Sequence, residues 1–122
     1  MPDEVKVNEE CGIIEIRSYG EVTKEDIAHS IAEVCRLNLE KGINKVVVDT
    51  TEQEQLPGTM GMYELFSLFP RDLRVALVSE DLQPTARDIH FIETVAQNRG
   101  IKIRVFPSKE ESLNWLGLRS EE

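Results

Sequence analysis

Hydrophobic and polar positions follow two rhythms along this chain. Val5 and Val7 alternate with polar neighbours, Asn8-Glu9-Glu10-Cys11-Gly12 reads as a turn, and Ile13-Ile14-Glu15-Ile16 resumes as a second strand. A connection this short joins antiparallel neighbours, so the pattern predicts an opening hairpin, closed at Tyr19-Gly20. The rhythm then changes to a helical one. Ile27, Ile31, Val34 and Asn38, joined by Cys35, fall on one face of a predicted helix between Thr23 and Gly42. Thr23 stands three residues before Asp26 in the spacing of a capping box, and Gly42 suits the C-cap. Lys45 leads into Val46-Val47-Val48, a β-branched run of the kind buried on both faces of a sheet.

Strand and helix alternate twice more. Leu73 to Val78 reads as a buried strand. Pro84, Thr85 and Asp88 open a helix with Ile89, Ile92 and Ala96 on one stripe and Phe91 and Val95 beside it, stopped by Asn98-Arg99-Gly100. Ile101, Ile103 and Val105 alternate as a last strand, and Ser108-Lys109-Glu110-Glu111 begins a short final helix carrying Leu113 and Trp115-Leu116. With a helix over Thr59 to Phe69, the order is β-β-α-β-α-β-α-β-α. That is an α/β fold: a mixed, mostly parallel five-stranded sheet opened by a hairpin, with about four helices covering both faces. With no linker or low-complexity stretch, residues 1–122 are expected to form a single domain.

Charge and cysteine usage narrow the partners. A net charge of −9 with 14 scattered basic residues argues against nucleic acid and anionic membrane surfaces. Cys11 and Cys35 lack the spacing of a zinc or redox motif. The start Pro2-Asp3-Glu4 is not that of a signal peptide, and no apolar run is long enough to span a bilayer, so the expected location is the cytoplasm and no membrane insertion is expected.

Candidate chemistry is sparse. Open α/β sheets gather ligands outside the carboxyl ends of parallel strands, which here offer Gly20-Glu21, Asp49-Thr50-Thr51, Ser79-Glu80-Asp81 and Pro107-Ser108. Clustered carboxylates suit a hard cation, so a metal-assisted enzyme at this edge, with Asp49 as the strand-edge acid, is one reading. Capping helices and solvating loops is the plainer role for the same acids. His29 and His90 each sit alone within predicted helices, and no nucleophile elbow, phosphate loop or dinucleotide fingerprint is present. No catalytic residue, metal ligand or cofactor site is assigned, and the chain is expected not to be an enzyme.

One segment stands apart. Leu56 to Phe69 holds three of the seven aromatic residues and two of the three methionines, with Glu64 its only charge. A helix there is apolar on nearly every side, unlike a cover helix that buries one stripe. Either it is fully buried, or Leu56, Met60, Met62, Tyr63, Phe66 and Phe69 form a surface for a partner or a ligand.

Ile16 to Thr23 (IRSYGEVT), Lys45 to Asp49 (KVVVD), Gln55-Leu56-Pro57, Phe91 to Ala96 (FIETVA) with Asn98-Arg99-Gly100, and Phe106 to Leu116 (FPSKEESLNWL) together resemble the SpoIIAA-like family, a branch of the STAS fold. The resemblance covers nearly the whole chain. It implies the same mixed sheet, fold kinship with CRAL-TRIO lipid-binding domains, and a regulatory or protein-interaction role. It also implies a phosphoacceptor after the strand ending in Asp49, where Thr59 lies nearest. Here Pro57-Gly58 replaces the acid that precedes the acceptor in anti-sigma-factor antagonists. The leading expectation is a non-enzymatic interaction module with a protein partner or a second copy of itself. The alternative is a binder of a small apolar or lipid-like ligand.

Overall fold

The computed structural model describes residues 3–55, 70, 72–80 and 82–117. Five strands form one sheet in sequence order: β1 (Asp3–Asn8), β2 (Ile13–Glu21), β3 (Lys45–Gln55), β4 (Arg74–Val78) and β5 (Lys102–Phe106). The opening hairpin is antiparallel, with Val5 opposite Ile16 and Val7 opposite Ile14. Its turn closes where the Gly12 amide donates to the Asn8 carbonyl at 2.9 Å. Gly12 has φ +70°, which a residue with a Cβ adopts only under strain. The pairs β2–β3, β3–β4 and β4–β5 are all parallel.

Three helices are described: α1 (Lys24–Lys41), α2 (Ala86–Asn98) and α3 (Lys109–Trp115). The fourth expected helix, over Thr59 to Phe69, lies outside the described residues. α1 begins with a complete capping box. The Asp26 amide donates to Thr23 Oγ1 at 3.1 Å, and the Thr23 amide donates to Asp26 Oδ2 at 3.0 Å. It ends at Gly42, φ 69°, whose amide donates to the Asn38 carbonyl at 3.0 Å. Ser108 caps α3 in one direction, accepting from the Glu111 amide at 3.3 Å.

The sheet separates two cores. Strands alternate their side chains, so Ile14, Ile16, Val46, Val75, Leu77 and Ile103 face one way, packing with Val34 and Leu37 of α1 and Ile89, Ile92 and Ala96 of α2. Connections that step in one direction with right-handed crossovers lie on the same face, and α1 and α2 do. The opposite face packs Ile13, Val47, Ala76 and Val78 under Leu116, with Phe106, Leu113 and Trp115 at its margin. Helices cover both faces as expected, but unequally. Phe91, placed beside the buried stripe by its spacing, is half exposed at 52%.

The expectation that β3 ends at Asp49 is corrected. The strand runs on to Gln55, so Asp49 is an internal residue of it. β4 stops pairing at Asp49–Val78, whereas β2 continues alongside, with Tyr19 opposite Glu52 and Gly20 opposite Gln53. A bulge sets both Thr50 and Thr51 against Ser18. The extra length follows from β2, whose nine residues offer a ladder beyond the reach of β4.

Candidate functional site at the carboxyl edge of the sheet

Where β4 stops, the β4 side of β3 has no neighbouring strand among the described residues, and its backbone groups need other partners. The loop after β4 supplies one. Gln83 Nε2 donates to the Thr50 carbonyl at 2.9 Å, in the place where a strand amide would stand. The same amide group reaches Thr50 Oγ1 at 3.2 Å and Thr85 Oγ1 at 2.9 Å. Thr85 Oγ1 donates to Gln53 Oε1 at 3.2 Å, and Gln53 Nε2 donates to Ser18 Oγ at 2.9 Å. Thr50 Oγ1 donates to the Val78 carbonyl at 2.7 Å, and the Glu80 amide donates to Gln83 Oε1 at 2.8 Å.

One continuous network therefore joins β2, β3, the end of β4 and the start of α2. Ser18, Thr50, Gln53 and Thr85 are all buried. A buried polar group left unpaired costs about 1–3 kcal/mol, so these bonds hold the edge in a single arrangement. Thr85 explains why α2 lacks a side-chain cap: its hydroxyl is committed to Gln53 and Gln83. Buried Ser79 Oγ has no hydrogen-bond partner among the described residues.

Chemically the cluster is made of hydroxyls and carboxamides. It contains no ionisable side chain, so nothing in it can act as a general base near neutral pH. Of the acids expected at this edge, Asp81 lies outside the described residues, and Glu21, Asp49 and Glu80 form no metal-ligating group. Asp49 Oδ1 accepts from the Thr51 amide at 3.0 Å and from Thr51 Oγ1 at 2.6 Å. Glu80 is exposed. Among the described residues no group of three His, Cys, Asp or Glu side chains converges as a metal-ligand set. His29 is exposed, and His90 lies 3.8 Å from Glu93 on the outside of α2. Burial pushes the Cys35 thiol up from its ordinary value.

The opposite face presents a different surface. A cavity of about 160 Å³ is lined by Glu4, Lys6, Glu15, Arg17, Asp49 and Lys109, with Ile16 and Val47. Arg17 donates to Glu52 Oε1 from Nη2 at 2.6 Å and from Nε at 3.1 Å, and Lys109 Nζ stands 3.2 Å from Glu15. The hydrogen bond that Arg17 donates to Glu52, and that carboxylate's charge, raise the Arg17 pKa.

The candidate surface Leu56, Met60, Met62, Tyr63, Phe66 and Phe69, with Thr59, lies outside the described residues. The chain enters that segment from Gln55 at the end of β3. Sequence reasoning singled out Asp49 at this edge and missed the Ser18–Gln53–Thr85–Gln83 chain. Its available signal was Thr85 at a helix start, a position normally given to a capping hydroxyl. Among the described residues no helix is long and apolar enough to cross a membrane.

No family model and no curated protein matches the chain. Solved structures do. An uncharacterised DUF3478-family protein with a SpoIIAA-like fold, from Shewanella loihica, aligns at TM-score 0.64 and 17% identity, over 93% of this chain and 91% of that one. The chain has the SpoIIAA-like fold. An anti-sigma factor antagonist from Mycobacterium paratuberculosis aligns at TM-score 0.62 and 14% identity, over 94% of each chain. The anti-sigma factor antagonist SpoIIAA in its unphosphorylated form aligns at TM-score 0.62 and 13% identity, over 94% of this chain and 97% of its own. At these identities the likeness is one of fold.

Proposed function

We propose that this chain is a non-enzymatic regulatory or protein-interaction module of the STAS type. The observation that carries the reading is the carboxyl edge of the sheet. In α/β folds this is where substrates bind, and here it is sealed by hydroxyls and amides that bond one another. Two solved proteins sharing the fold are anti-sigma factor antagonists, which makes a protein the partner class to test. The partner surface is assigned to Leu56, Met60, Met62, Tyr63, Phe66 and Phe69, in the apolar segment that leaves the sealed edge at Gln55. Thr59, within the same segment, is the candidate phosphoacceptor.

The test uses the purified chain and the anti-sigma factors of its host, mixed one at a time and examined by sedimentation velocity. The expected result is a stable complex with one of them, lost in Met62→Glu and Phe66→Glu variants whose circular dichroism matches the wild type. No complex with any of them would count against the proposed partner class. Complexes unaffected by both substitutions would remove the segment from the interface, and loss of the fold would place it in the core.

A further inference from the structure

The two edges of the sheet are treated differently. An edge strand turns the N–H and C=O of every second residue outward, and proteins cover or charge such groups to prevent unwanted pairing. At β5 the cover is built in: the Val105 amide donates to Glu93 Oε2 at 2.8 Å, and Gln97 Nε2 donates to the Ile103 carbonyl at 3.4 Å. Both covering side chains come from α2. The exposed residues of β5, Lys102 and Arg104, are both cationic, so two β5 strands laid together would set like charges side by side.

The β1 edge has neither protection. Among the described residues no side chain bonds the backbone of Asp3 to Val7, and its exposed residues carry one charge of each sign, Glu4 and Lys6. Lys6 forms no ion pair among the described residues. Glu15, its cross-strand neighbour, is bound to Lys109 instead.

We propose that β1 pairs antiparallel with β1 of a second copy of this chain, centred on Val5, to make one continuous ten-stranded sheet. Residues opposite each other in an antiparallel ladder turn their backbone groups the same way. When a strand meets its own copy, paired positions must therefore add to an even number, which leaves few registers. Centring on Lys6 sets Lys6 against the partner subunit's Lys6, and centring on Glu4 sets two glutamates together. Centring on Val5 places Glu4 opposite the partner subunit's Lys6 and Lys6 opposite the partner subunit's Glu4, with Val5 against its twin. Only that register gives Lys6 a counter-charge and brings two opposite-charge pairs into direct apposition. The inference does not depend on residues 56–69, so it stands or falls separately from the proposed function.

Charge exchange tests it, because Glu4 and Lys6 are both exposed and can be changed without touching the core. Sedimentation velocity across a concentration series is expected to show a wild-type dimer. Glu4→Lys and Lys6→Glu should each weaken it by roughly ten- to thirty-fold, as two attractive cross-strand pairs become repulsive. Mixing the two single variants should restore a heterodimer, and the double variant E4K/K6E should dimerise like the wild type. A wild-type monomer at every concentration would overturn the proposal. So would a dimer indifferent to either substitution, or single-variant losses that neither mixing nor the double exchange repairs.

Discussion

The two faces of this sheet are built from the same five strands, yet they meet different surroundings. Under α1 and α2 the face is continuous hydrocarbon, from Ile16 and Ile14 on β2 through Val46 and Val75 to Ile103 on β5. Among the described residues the other face is apolar where α3 covers it, at Ile13, Val47, Ala76, Val78 and Leu116. Towards β1 it becomes the charged row of Glu4, Lys6, Glu15 and Arg17. The difference teaches how the strands encode their cover. Central β3 and β4 carry unbroken apolar runs because both of their faces are packed, and β1 alternates because only one of its faces is.

The largest expected effect lies on the α1–α2 face. Ile14 is fully buried in the larger core, and Ile14→Ala should destabilise the fold by about 3–4 kcal/mol in a urea titration, close to the upper part of the range for buried isoleucine. An effect below about 1 kcal/mol would break the distinction between the faces. Leu116 is equally buried, but it sits at the C-cap of one seven-residue helix whose packing can relax into the space. Leu116→Ala should cost about 2–3 kcal/mol, and amide exchange should quicken in α3 more than in α1. Uniform loss of protection across both helices would show that the two cores act as one.

The smallest effect separates the helix caps. Hydrogen bonds from the Thr23 amide and then its hydroxyl hold the Asp26 carboxyl below its ordinary value of 3.8. A carboxyl lowered in the folded state stabilises the protein fully above its unfolded value and loses that contribution as pH falls through the folded one. The stability gap between wild type and Asp26→Ala should therefore be open at neutral pH and narrow progressively below about pH 4. A gap independent of pH between 6 and 2 would mean that the box contributes through packing alone. At the α3 cap Ser108 Oγ accepts from the Glu111 amide and donates to its carboxylate, each at 3.3 Å, with no return bond to the Ser108 amide among the described residues.

Much of this architecture was legible along the chain because it is locally encoded. Ile27, Ile31 and Val34 mark α1 by period, Thr23 and Gly42 mark its ends by cap chemistry, and Val46-Val47-Val48 marks a doubly covered strand. The resemblance to the SpoIIAA-like family led to the same fold that the solved structures share. What stayed hidden was non-local. Gln53 reaches Ser18 across 35 positions and Thr85 across 32, and neither spacing leaves a periodic trace. The length of β3 was misjudged because Thr50 to Gln55 is polar. Its strand conformation is supported by β2 alongside it and by the Gln83 amide at Thr50.

By itself, then, the sequence determined the three described helices, the caps of α1 and α3, the opening hairpin and the buried strands, since each depends on residues within a turn or two of one another. Tertiary structure decided which face α3 covers, how far β3 extends, and that a chain of hydroxyls and carboxamides ties β2, β3 and the start of α2 together at the carboxyl edge. Those outcomes depend on hydrogen bonds and packing between strands far apart in the chain. Their partners become neighbours only after the loops between them have closed.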